Sequence, residues 1–133
     1  MNQKILAGKR VVIYSRVSTN EQKQTGYSLD NQQDQIEKFC RDNGMIIIRS
    51  FQEAHSAKDG DRPVFREMYE FVMSNSNKVD YVLVHKWDRL YRNVVSALVM
   101  LENVHKKGII INATSDWKNL DNPIEWFMTL ITL

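Results

Sequence analysis

The chain has a single cysteine in 133 residues, Cys40, so no internal disulfide can form. It lies in a helical pattern and reads as a half-buried core residue, and so sparse a use of cysteine fits a reducing cytoplasm. Histidine is nearly as scarce. His55, His85 and His105 are scattered, and with no clustered Cys/His ligand set the sequence argues against a zinc site. No apolar run approaches the length that spans a bilayer. The opening MNQKILAGKR has no apolar stretch long enough for a secretory signal, so no membrane partner and a cytoplasmic location are expected. Charge of one sign is also lacking. A net charge of +2 does not by itself indicate a nucleic-acid binder, nor does it exclude one, because the placement of individual arginines counts for more than their sum. Internal repeats, low-complexity tracts and linkers are absent.

What is present suits one domain with one core: 43% hydrophobic and 26% charged residues. The apolar run Val11-Val12-Ile13-Tyr14 reads as a buried strand that delivers Arg16 and Ser18 at its end. Residues 20–27 form a polar, glycine-containing loop. Ser28 reads as the N-cap of a helix to about Asn43, with Gly44 as its stop. Its inner stripe is Leu29, Ile36, Phe39 and Cys40, with Gln32, Gln33, Asp34, Glu37 and Lys38 on other faces. Met45 to Ile48 reads as a second buried strand, and Gln52 to Arg62 as a polar loop. Pro63 opens a second helix, with Phe65, Met68, Tyr69 and Val72 at helical spacing. Val79 to His85 is a third strand. A third helix carries Leu98, Leu101, Val104 and His105 and stops at Gly108. Ile109 to Ile111 is a fourth strand, Asp116 to Asn122 a polar turn, and Pro123 opens an apolar final segment. Alternating strands and helices, with continuous apolar strands, predict an α/β domain: a mostly parallel sheet of roughly four to five strands with helices on both faces.

In such sheets ligands bind beyond the carboxyl ends of the strands. The polar groups there are Arg16 and Ser18, the loop ending at Arg62, and Asp88-Arg89-Leu90-Tyr91-Arg92-Asn93. Residues two apart in a strand face one side, so Arg16 and Ser18 share a volume, while Tyr14 and Val17 are free to pack elsewhere. Arg89 and Arg92, three apart, share a helix face, and Asp88 can pair with Arg92. Read blandly, Ser18 is an ordinary loop serine and Asp88–Arg92 a solvated ion pair. Four arginines converging on one serine, however, repel one another unless they share an anion. A phosphodiester fits, since its oxygens match the guanidinium fork and its displacement builds charge that such donors stabilise.

YSRVSTNEQ, GYSLDNQQDQIEKFC, SAKDGDRPVF and VLVHKWDRLYRN resemble, in order and spacing, the catalytic domain of the serine site-specific recombinases, the resolvase/invertase family, including its large serine integrases and transposases. The resemblance runs from about Arg10 to the end. It implies a resolvase-like, Rossmann-like fold that cleaves and rejoins DNA through a serine attacking a backbone phosphate, leaving a 5′-phosphoserine link and a free 3′-hydroxyl. The R-V-S serine matches Ser18. Ser15, the chemical competitor, falls on the other side of the strand from Arg16 and outside the motif. Arg16, Arg62, Arg89 and Arg92 match the arginines that grip the phosphate, Asp88 the aspartate that orients Arg92 and helps move a proton, and Gln22 and Gln32 supporting polar positions. No cofactor and no metal are expected, since the phosphoserine conserves the diester's energy and the arginines supply the positive charge. The implied partners are double-stranded DNA at a crossover site and further copies of the chain, as a dimer and as a tetramer in the synaptic complex.

The sequence departs from the family pattern in places. Ala57 follows Ser56 where glycine is frequent, and Tyr91 stands where a small residue is usual. The family's long dimerisation helix is only begun here, from about Pro123 to Leu133. This apolar stub packs either on its own core or on a neighbouring copy. The reading is therefore of residues 1–133 as one catalytic domain cut from a longer recombinase, without the DNA-binding region and unable to recombine DNA by itself. Two rivals stand beside it. A catalytically silent module of the same fold could tolerate loss of Ser18 or the arginines, all of which are present. A small-molecule phosphate enzyme should show a glycine-rich turn after the first strand, yet no glycine occurs there until Gly26.

Overall fold

The computed structural model describes residues 3–17, 29–54, 62–87 and 94–118. A short helix, α1 (Gln3–Leu6), leads into strand β1 (Arg10–Val17). The chain continues through helix α2 (Leu29–Asp42), strand β2 (Ile46–Ala54), helix α3 (Pro63–Ser74) and a 3-10 turn, Ser76–Lys78. Strand β3 (Tyr81–Val84), helix α4 (Val94–Lys106) and strand β4 (Ile110–Ala113) complete the described elements. The sheet has four strands in the order β2-β1-β3-β4, and every pairing is parallel. The expected α/β architecture is borne out. Among the described residues no helix is long and apolar enough to cross a membrane.

Alternation along the inner strands divides the core in two. Val12, Tyr14, Val82 and Val84 point to one face, where Phe65, Met68 and Val72 of α3 and Leu101 and Val104 of α4 cover them. Val11, Ile13, Tyr81 and Leu83 point to the other and meet Ile36 and Cys40 of α2 and Leu6 of α1. Continuous apolar runs in β1 and β3 thus reflect burial on both faces. Gly44 and Gly108, at φ +68 and +85, end α2 and α4 in the left-handed conformation that favours glycine. At the amino end of the sheet Asp80 ties β1 to β3. Its carboxylate accepts the backbone N–H of Arg10 at 2.8 Å and the Arg10 guanidinium at 3.0 and 3.2 Å, while its own N–H donates to the Arg10 carbonyl.

Several expectations need correcting. The second strand is neither confined to Met45–Ile48 nor buried there. It runs from Ile46 to Ala54, with Ile46 54% exposed and Ile47 and Ile48 more than a third exposed. An apolar run cannot reveal that its strand lies at the sheet edge, with a neighbour on one side only. The register also skips Ile48 between the Val11–Ile47 and Val12–Arg49 pairs, a bulge of the kind common at edges. Residues 52–54 accordingly belong to this strand and not to the loop. Gln32 and Gln33, read as lying on faces other than the inner stripe of α2, are buried, and the Ser15 and Ser50 hydroxyls of β1 and β2 face Gln33. Cys40 is fully buried rather than half-buried; burial pushes its thiol up to about 11, with Glu37 adding to the effect. Strands β3 and β4 are shorter or shifted by a residue or two. The Ser28 cap and the segment from Pro123 lie outside the described residues.

Candidate active site

The chain steps from β1 to β2 on one side, then returns across β1 to β3 and outward to β4. This reversal puts the topological switch point at the carboxyl ends of β1 and β3, the usual ligand position in open α/β sheets. The chain leaving β1 carries Ser18 immediately after Val17, and the chain leaving β3 carries Asp88, Arg89 and Arg92 soon after Trp87. Gln22 also follows β1. These five residues, and hence their contacts, lie outside the described set. Arg16, Arg62 and Gln32 lie within it.

Arg16 is 2% exposed, and its Nε and Nη2 find no hydrogen-bond partner among the described residues. A buried guanidinium with idle donors is costly. It occupies the penultimate residue of β1, aligned with Glu53 in β2. Arg62 is also buried, at the entrance to α3, with its guanidinium carbon 5.7 Å from the centre of the Phe65 ring. Gln32 is buried on α2, with its Oε1 unpartnered among the described residues.

The expectation that Tyr14 packs away from Arg16 is incorrect, because strand alternation places residues two apart on one face. Tyr14 is fully buried on that face and donates its hydroxyl to Glu53 Oε1 at 2.5 Å. Burial, then the Glu53 hydrogen bond, holds the phenol far above its ordinary range, while the positive charges of Arg62 and Arg16 act in the opposite sense. Both guanidinium groups therefore act on the buried Tyr14 hydroxyl. Glu53, itself 2% exposed, also accepts the backbone N–H groups of Val64 and Phe65 at 3.1 and 3.2 Å. Arg62, the N-cap of α3, makes no side-chain cap, and Pro63 has no N–H. Glu53 thus caps α3 from the neighbouring strand, and its charge suits the positive end of the helix.

Sequence reasoning missed Tyr14 and Glu53. An acidic residue two positions beyond a buried phenylalanine, ten before a helix-opening proline, was the available signal. It looked like loop. Ser15 faces the opposite side. It is buried and donates to Gln33 Oε1 at 3.3 Å, while Gln33 donates to Ser50 and Glu37 at 2.8 and 3.1 Å. Its hydroxyl is thereby engaged on the face of β1 opposite Arg16, in a structural network.

Residues 11–132 match the family model described as Resolvase, N terminal domain. The chain belongs to this family, that of serine recombinase catalytic domains. It is similar to the N-terminal catalytic domain of TP901-1 integrase, at 26% identity and a TM-score of 0.73 over 93% of this chain and 92% of that one. A resolvase family site-specific recombinase from Streptococcus pneumoniae is similar at 27% identity and a TM-score of 0.75, over 93% and 84%. The C-terminal catalytic domain of ISC1926 TnpA, an IS607-like serine recombinase, gives 25% identity and a TM-score of 0.64, over 92% and 80%. Over 65 residues the chain is 37% identical to an uncharacterized immunity region protein 3 of Bacillus phage phi105, spanning 48% of this chain and 79% of that protein.

Proposed function

We propose that this chain is the catalytic domain of a site-specific DNA recombinase that cleaves and rejoins DNA through a covalent 5′-phosphoserine. The observation that carries the proposal is Arg16: a buried guanidinium, at the carboxyl end of the central strand and two residues before a serine, with two nitrogens that have no hydrogen-bond partner among the described residues. Its fork matches the oxygens of a phosphodiester. Ser18 Oγ attacks the phosphorus, forming a P–O bond as the bond to the 3′-oxygen breaks. The hydroxyl proton leaves Ser18 and the departing 3′-oxygen gains a proton, with Asp88 assisting. Arg16, Arg62, Arg89 and Arg92 hold the phosphate and stabilise the charge that develops on it, and Gln22 and Gln32 support the site. Attack by a 3′-hydroxyl on the phosphoserine reverses these steps and needs no energy source, because the ester conserves the energy of the diester.

The catalytic domain comprises residues 1–133 and works in the cytoplasm beside a separate DNA-binding region. Its partners are double-stranded DNA at a crossover site and copies of itself, as a dimer and as a tetramer in the synaptic complex. Cleavage assays on the full-length protein with crossover-site DNA test the reading. Ser18→Ala should abolish strand cleavage, whereas Ser15→Ala should retain it. Cleavage by the Ser18→Ala protein would reject the assignment.

A further inference from the structure

Each strand of the sheet is preceded by a basic residue at its amino end. In sheet order these are Arg41 before β2, Lys9 before β1, Lys78 before β3, and Lys106 with Lys107 before β4. All five are exposed. Backbone hydrogen bonds draw the four turns into one row. Gly8 N–H donates to the Gly44 carbonyl at 2.7 Å and Ile46 N–H to the Lys9 carbonyl at 2.8 Å. Asp80 N–H donates to the Arg10 carbonyl at 2.9 Å and Ile110 N–H to the Asp80 carbonyl at 3.0 Å. With strands about 4.8 Å apart, the row spans roughly 14 Å.

The acids in the same turns are already engaged. Asp42 pairs with Lys38 at 2.8 Å and Asp80 with Arg10 at 3.0 Å. None of the five basic residues forms an ion pair among the described residues. Five such charges at one end of a chain whose net charge is +2 leave the rest of the sequence net negative. The helix dipole accounts for Arg41 and Lys106, in the last turns of α2 and α4. It contributes little at Lys9 and Lys78, which follow elements of only four and three residues. The row is also open to a bulky partner. At Gly8 and Gly108 no atom lies within 4 Å of where a Cβ would stand.

We propose that the row of Arg41, Lys9, Lys78, Lys106 and Lys107 at the amino end of the sheet is a second DNA surface, holding the phosphate backbone of a duplex. Lysines bind phosphates as point charges, and duplex DNA presents one negative charge per about 1.7 Å of its axis. A row of this length therefore meets several phosphates, and such contacts carry no sequence preference. These turns have no aromatic side chain on which the bases of a single strand would stack. The row and Arg16 lie at opposite ends of β1, whose eight residues extend about 26 Å. The DNA held there is thus a different stretch from the one proposed to be cleaved. The choice of DNA among polyanions rests on the recombinase reading; the row itself does not.

The test uses the full-length protein and crossover-site DNA with long flanks, reading affinity across a salt series separately from cleavage rate at saturating protein. Lys9→Gln, Lys78→Gln and Lys107→Gln together should weaken binding about tenfold or more at physiological salt. The slope of log affinity against log salt should fall by about two to three, with the cleavage rate unchanged. Lys38→Gln, outside the row, should leave the slope as it is; a loss per lysine equal to that of the row would overturn the proposal. Unchanged affinity and slope in the triple variant would overturn it too, even if that variant lost binding to phosphatidylserine vesicles, which would make the row a membrane surface. Weaker binding at an unaltered slope would assign the row to contacts between copies, and would also overturn it. Should the triple variant fold poorly, Lys78→Gln alone decides: a slope lower by about one supports the proposal, and an unchanged slope overturns it. A wild-type protein unable to cleave DNA would instead reject the recombinase reading, since the salt slope is measured without cleavage.

Discussion

Burying a guanidinium costs several kcal/mol unless its donors are used, and Arg16 keeps Nε and Nη2 without partners among the described residues. On the proposed reading those donors serve the phosphate rather than the fold. Replacing Arg16 by methionine should therefore stabilise the fold by about 1–2 kcal/mol in urea unfolding while abolishing DNA cleavage. Destabilisation by that change would show that Arg16 supports the structure. Cys40 provides a contrast. Burial raises its thiol to about 11, so at pH 8 the native protein should resist thiol reagents and react only on unfolding. Labelling of the native protein within minutes would contradict that placement. Arg16 was legible from the sequence because strand alternation and its neighbouring motif coincide. Glu53 was not, because its partners are a phenol on another strand and two backbone N–H groups of a helix that begins ten residues later.

Two elements depend on single carboxylates at opposite ends of the sheet. Glu53 caps α3 from β2 and accepts the Tyr14 hydroxyl, a service that no side chain of the α3 cap residue provides. Glu53→Gln retains one acceptor oxygen and loses the charge, so unfolding free energy should fall by about 1–3 kcal/mol. Cleavage should fall as well, since Arg16 and Arg62 lie beside the pair; an unchanged melting curve would refute the capping role. At the amino end, the Arg10 guanidinium and backbone hold the Asp80 carboxyl below its ordinary range. A depressed carboxyl contributes stability fully present above its unfolded value, about pH 4, and loses it as pH falls through the folded value. Asp80→Asn should therefore lower stability at pH 7 and cost less at a pH well below 4, as the wild-type carboxyl takes up its proton. An equal loss at both pH values would contradict this. For the longer helices and the inner strands, element type was readable from periodicity and from Pro63, Gly44 and Gly108, whereas the short α1 was not foreseen. Nor was the extent of β2. Its first half is apolar yet exposed at an edge, and its second half polar yet partly buried, so hydropathy misreports both.

Across the whole molecule, parallel order explains why residues far apart in sequence belong together. In the strand order β2-β1-β3-β4 the switch point falls between the ends of β1 and β3; in sequence Ser18 follows the first and Asp88 to Arg92 follow the second. The sequence indicated this architecture because doubly buried strands and helix-stop glycines are local signals. It did not indicate which face each side chain takes at the site, since Tyr14, Gln32 and Gln33 are buried through tertiary contacts. The account stands or falls on the chemistry of one hydroxyl. Full-length protein should be mixed with crossover-site DNA, denatured, and the protein joined to the 5′ DNA end mapped by peptide mass. The adduct should sit on Ser18 and vanish in Ser18→Ala. An adduct on Ser15, or none although the protein is bound to DNA, would contradict the account.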